Sequence, residues 1–102
     1  MIKVSIASSE DRAKGVAQSL ELIDSEVVIP DRPVMVKPNF VTTTNQLAAT
    51  HVDATRATLE YLSGKGVSDF VIAVGPALGT PDSGFDNYGY RDLTNDFKIE
   101  FM

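Results

Sequence analysis

Hydrophobic and polar positions alternate or cycle along this chain in a regular succession. Ile2-Lys3-Val4-Ser5-Ile6 alternates apolar and polar, which predicts a strand with one buried face. Ala13, Val16, Ala17, Leu20 and Ile23 then recur at helical spacing, predicting an amphipathic helix over 10–24. Ser8 is the expected cap of that helix, with Asp11 reaching back to complete a capping box. Val34-Met35-Val36 is a short apolar run of the kind buried in a parallel sheet, and Lys37-Pro38-Asn39 ends it. Residues 40–49, rich in Thr, Asn and Gln, show no period and predict a loop of unusual length for a βα connection.

Thr50-His51-Val52-Asp53 reads as a second capping box, with Val52, Thr55, Leu59 and Leu62 as the helix stripe behind it. Gly64 and Gly66 close that helix. Asp69 to Val74 is the strongest predicted strand. Gly75-Pro76-Ala77-Leu78-Gly79 is a turn, Thr80-Pro81-Asp82 opens a short helix to about Tyr88, and Lys98-Ile99-Glu100-Phe101 alternates as a last strand. The order β-α-β-α-β-α-β predicts one α/β domain over 1–102. The expected sheet is mostly parallel and four-stranded, with helices packed on it in a Rossmann-like three-layer arrangement.

Composition narrows the chemistry. The 102 residues contain no cysteine, which excludes disulfides, thiolate zinc sites, cysteine-ligated iron–sulfur clusters and cysteine nucleophiles within this chain. A net charge of −5 argues against a nucleic-acid footprint. No apolar run is long enough to span a membrane, and the start lacks a signal-peptide layout; with the missing cysteines, this places the expectation in the cytoplasm.

In open parallel sheets, ligands bind beyond the carboxyl ends of the strands. Residues 37–51 form the richest such loop. Lys37 offers a point positive charge, Asn39 a polar side chain, and the helix starting at Thr50-His51 a positive dipole end. Together they would suit a phosphate or carboxylate; the other reading is a solvated strand-end lysine and a plain cap. His51, the only histidine, is the candidate acid/base, and the alternative is an ordinary first-turn histidine. Arg56 could clamp an anion or pair with a surface carboxylate. Gly75 and Gly79 match neither the dinucleotide fingerprint nor the P-loop, leaving close approach to a ligand or a tight turn. No metal set is evident. Ser5, Ser8 and Ser9 have no base beside them in the pattern. Tyr88 and Tyr90 read as packing residues, and the carboxylates of 82–100 as a solvated face.

Val34-Met35-Val36-Lys37-Pro38-Asn39-Phe40 resembles the strand-then-Lys-Pro-Asn signature of the domain of unknown function 362 family. Thr50-His51, Arg56-Ala57, Gly66 with the strand to Gly75, and Phe85 with Gly89-Tyr90 continue the resemblance in order over roughly 30–92. The resemblance implies Lys37, Asn39, Thr50, His51 and Arg56 as site residues. It also implies that these residues form the N-terminal portion of a longer architecture. Many members of that family are associated with iron–sulfur proteins; this sequence lacks the cysteines, so cluster binding does not carry over and the cofactor stays unknown. More remotely, the layout is similar to the N-terminal half of the nickel-pincer lactate racemases, an analogy of fold alone. Expected partners are a small anionic ligand bound at the loops after the second and third strands, a redox partner protein, or a second copy of the chain. The competing expectation is a non-catalytic module that assembles through an edge strand.

Overall fold

The computed structural model describes residues 2–102. Three strands, β1 (Val34–Val36), β2 (Asp69–Ile72) and β3 (Lys98–Phe101), form a parallel sheet in chain order. Val34 stands beside Phe70 and Phe70 beside Ile99; two residues on, Val36, Ile72 and Phe101 line up in the same way. These six side chains share one face, as a period of two requires. That face carries the core, with Phe40, Leu59, Val67, Phe85, Tyr88, Tyr90 and Leu93 packed over it.

The helices are α1 (Arg12–Leu22), α2 (Val52–Gly64) and α3 (Pro81–Asn87), followed by a 3-10 segment, Tyr90–Asn95. α2 delivers Leu59 and α3 delivers Phe85 to the core, and α1 packs along α2. Thr80 and Ser83 close a capping box at α3, and Gly89 ends that element with φ 75°. The chain turns there because glycine reaches the left-handed region without a Cβ penalty.

Two features differ from the sequence reading. Residues 2–6 pair with no strand, so the described sheet has three strands and not four. Ser5 and Ala7 are half-buried while Ile2, Val4 and Ile6 point outward. Ser5 Oγ donates to Ser19 O and Lys3 pairs with Glu26, so the segment is held against α1 and not against the sheet. The second difference is layering. Met35, Val71 and Glu100 line up on the other sheet face, where Met35 and Glu100 are exposed and Val71 is half-buried. That face carries no core, so the expected third layer is not formed on it.

The caps also move. α1 is capped by Asp11, whose side chain accepts from Lys14 N, and Ser9 Oγ in turn accepts from Asp11 N. Aspartate caps a helix as well as serine does, so Asp11 displaces the expected Ser8.

Candidate functional site

The loop 37–51 is fixed, despite its lack of sequence period. Phe40 is buried and meets Phe85, Tyr88 and Tyr90 edge-on. An antiparallel bridge joins Phe40 to Ala49, and a parallel one joins Thr42 to Leu78. The 3-10 turn Gln46–Ala48 lies between, capped by Asn45. Two buried tyrosines then hold the loop by their hydroxyls. Tyr88 donates to Thr42 O and accepts from Asn45 N. Tyr90 donates to Thr50 O at 2.8 Å and sits 2.9 Å from Thr55 Oγ1. Burial pushes the Tyr90 phenol up to about 12, so it stays a hydrogen-bond donor.

Thr50 is not the cap of α2. Its Oγ1 accepts from Asn39 N at 2.9 Å and its N–H donates to Asn39 O at 2.8 Å, a reciprocal clamp across the loop neck. His51 takes the cap position instead, with Nδ1 accepting from Asp53 N at 3.1 Å. An imidazole that accepts at Nδ1 carries its neutral-form proton on Nε2. In that form Nε2 is a donor, and the Nδ1 lone pair is taken up by Asp53 N. Asp53 Oδ2 lies 3.6 Å from Nδ1, and Arg12 stands 3.9 Å from the same carboxylate.

Lys37 follows β1 directly and is exposed. It lines a cleft of about 210 Å³ with Val16, Val36, Pro38, Thr50, Ala54, Thr55 and Thr58, at the carboxyl end of β1 and the start of α2. Of nine lysines and arginines, Lys14, Arg32 and Lys37 make no ion pair among the described residues. Lys37 is the one of these three that follows a strand end.

The remaining candidates lie elsewhere. Arg56 pairs with Asp96 at 2.7 Å and its guanidinium lies over the Phe97 ring, which commits its fork to the protein itself. Asn39 is exposed, with its backbone in the Thr50 clamp. Gly75 faces open space at the end of β2. Gly79 has φ 93°, and a Cβ there would meet Thr43 Oγ1 at 2.0 Å, so the close approach it permits is to Thr43. The structure thus brings Lys37 and Thr50 to one cleft, sets His51 next along the chain, and uses Arg56 and Gly79 in packing.

Sequence reasoning assigned Tyr88 and Tyr90 to packing and missed their hydroxyls. A signal was present, because a buried tyrosine needs a partner for its O–H and the unperiodic loop offered many carbonyls. Among the described residues no group of three His, Cys, Asp or Glu could hold a metal ion. No helix of the described residues is long and apolar enough to cross a membrane. Comparison with protein-family models, with curated proteins and with solved structures returns no match.

Proposed function

We propose that the cleft at the carboxyl end of β1 binds a small anion, a phosphate or carboxylate group of a metabolite or cofactor. The observation that carries this reading is Lys37, without an ion pair among the described residues, in a cleft shared with Thr50 where α2 begins. A lone ammonium at a strand end, near the positive end of a helix, favours an anionic ligand. His51 Nε2–H is the second donor in this reading, and Asn39 the third. Asp53 opposes the anion, and Arg12 offsets part of that charge. The resemblance to the domain of unknown function 362 family belongs to the same proposal, with Lys37, Asn39, Thr50, His51 and Arg56 as the matched site residues, Arg56 being held on Asp96. So does the reading of this α/β chain as part of a longer, Rossmann-like protein whose remaining segments enclose the ligand. A cleft of about 210 Å³ is smaller than an ordinary small-molecule pocket, consistent with a site that holds one anionic group.

Titrating inorganic phosphate, acetate and ADP, followed by amide chemical shifts, tests the proposal. Phosphate should shift Lys37, Thr50 and His51 amides with weak, saturable affinity, and Lys37→Ala should weaken it by about three- to tenfold. Equal responses in wild type and Lys37→Ala would sink the reading.

One observation favours a second reading, a module that assembles with another chain: β1 and β3 are both sheet edges with no further strand paired to them among the described residues.

A further inference from the structure

The cleft at the end of β1 has two chemically different parts. Its walls are Val16 of α1, Val36 and Pro38 at the end of β1, and Ala54 of α2. Val16, Val36 and Ala54 are half-buried, so part of their apolar surface stays open to this space. The threonines of the lining add little polarity. Thr58 Oγ1 donates to Ala54 O at 3.0 Å. Tyr90 has a single O–H, used on Thr50 O, so Thr55 is the donor in the 2.9 Å contact between their hydroxyls. Thr50 keeps its hydroxyl proton. Its Oγ1 accepts from Asn39 N, which orients the group, and the proton has no acceptor among the described residues. Lys37 is the one charged residue of the lining.

We infer that the ligand of this cleft is a short aliphatic monocarboxylate, with its carboxylate on Lys37 and Thr50 and its alkyl chain between Val16, Val36, Pro38 and Ala54. The inference rests on the anion reading above and names the body behind the anionic group. One ammonium balances one negative charge, and an ammonium with one hydroxyl supplies a donor for each carboxylate oxygen. A phosphate dianion needs more of both. His51 and Asn39, the further donors of the anion reading, lie outside the lining, so they add no polarity to its walls. A sugar or nucleotide would set its hydroxyls against apolar walls and against threonines whose protons are already committed. Each unpaired group would cost affinity. Alkyl surface has the opposite preference. The space of about 210 Å³ holds roughly seven heavy atoms at ~30 Å³ each, the size of a four- or five-carbon acid.

The experiment titrates acetate, butyrate, pentanoate, octanoate and inorganic phosphate against the full chain, near neutral pH and at constant ionic strength. The readout is the amide shifts of Lys37, Thr50 and Ala54. A methylene wholly removed from water contributes about fourfold in affinity, and one in an open cleft about two- to threefold. Butyrate should therefore bind about four- to ninefold tighter than acetate, and tighter than phosphate. Octanoate should gain nothing over pentanoate. Butyramide, the same chain without the charge, should bind about three- to tenfold more weakly than butyrate. Ala54→Leu, or Val16→Phe from the other wall, fills the space for the chain and should bring butyrate down to acetate. Lys37→Ala should lower both acids by one common factor and leave their ratio. If acetate and phosphate shift these amides through Lys37 and butyrate is no better than acetate, the anion site stands and this inference fails. If no anion shifts them, both fail. Phosphate binding tighter than butyrate, or a butyrate advantage that survives both filling variants, also overturns the inference.

Discussion

The first third of the molecule and the remainder are built to different standards. No residue from 2 to 33 is fully buried, although the stretch holds a complete helix and many Ile, Val and Leu side chains. Between Pro38 and Leu93 the chain buries Phe40, Leu59, Phe70, Ile72, Phe85, Tyr90 and others almost completely. Apolar content does not separate the two regions; partners do. Phe40, Phe85, Tyr88 and Tyr90 find one another across the sheet, while Ile2, Val4, Ile6, Leu22 and Val28 face outward. Hydrophobic residues stabilise a fold only where something removes their surface from water.

Substitutions sharpen this contrast. Phe40→Ala should cost about 3–5 kcal/mol by chemical denaturation, because it empties the junction of three aromatic rings. Ile6→Ala, on the exposed row, should change the monomer by less than about 0.5 kcal/mol. Comparable losses at both positions would end the distinction. Gly79→Ala comes next, at about 2–3 kcal/mol, since it strains a positive φ and drives a methyl into Thr43. Tyr90→Phe should cost about 1–3 kcal/mol by leaving Thr50 O and Thr55 Oγ1 without their partner, and should weaken any anion response of the loop neck.

Asp11→Ala tests the loose region from within. Loss of the α1 cap is worth about 1 kcal/mol locally. The expected result is faster amide exchange in α1 with the global midpoint almost unmoved, as for a unit that opens by itself. A full shift of the global midpoint would show that the two regions unfold together.

The smallest effect concerns the latch between the regions. Tyr61 of α2 donates to Asp24 at 2.5 Å, and Lys65 pairs with Asp24 at 3.0 Å. The Tyr61 hydrogen bond first, and Lys65 second, hold the Asp24 carboxyl below its ordinary value of 3.8. A depressed acid stabilises the fold above its unfolded value, and that contribution is lost as pH falls through the lower folded one. At the other end, the same bond to Asp24 pushes the Tyr61 phenol up to about 12, so its contribution persists below 10.0 and is lost as pH rises through the folded value. Tyr61→Phe should flatten both limbs in an amide-exchange profile of residues 24–26, with the core unchanged.

Much of this was legible in the residues. The strands at 34–36, 69–72 and 98–101, the helix ended by Gly66, and the Thr80-Pro81 start all follow local rules that the packing respects. The failures share a cause. Ile2-Lys3-Val4-Ser5-Ile6 has the period of a strand, but a period names a face and not a neighbour, and no edge takes it up here. Ser8 and Thr50 had the chemistry of caps; Asp11 and His51, equally able acceptors, lay nearer the first turns. The loop 40–49 looked unstructured because its order comes from Tyr88 and Tyr90, some forty residues away. At the candidate site, Lys37 and Thr50 share a cleft, but Arg56 was claimed by Asp96, a partner no spacing rule reveals.

The order of the sheet has a consequence in time. β1, β2 and β3 lie side by side in the order they are synthesised. Each new strand can join the growing edge without displacing another, and the aromatic junction closes only after Tyr90 has emerged. At about 5–20 residues per second, several seconds separate the first strand from that closure. Throughout that interval Val34 and Val36 of β1 wait in water for the rings that will cover them.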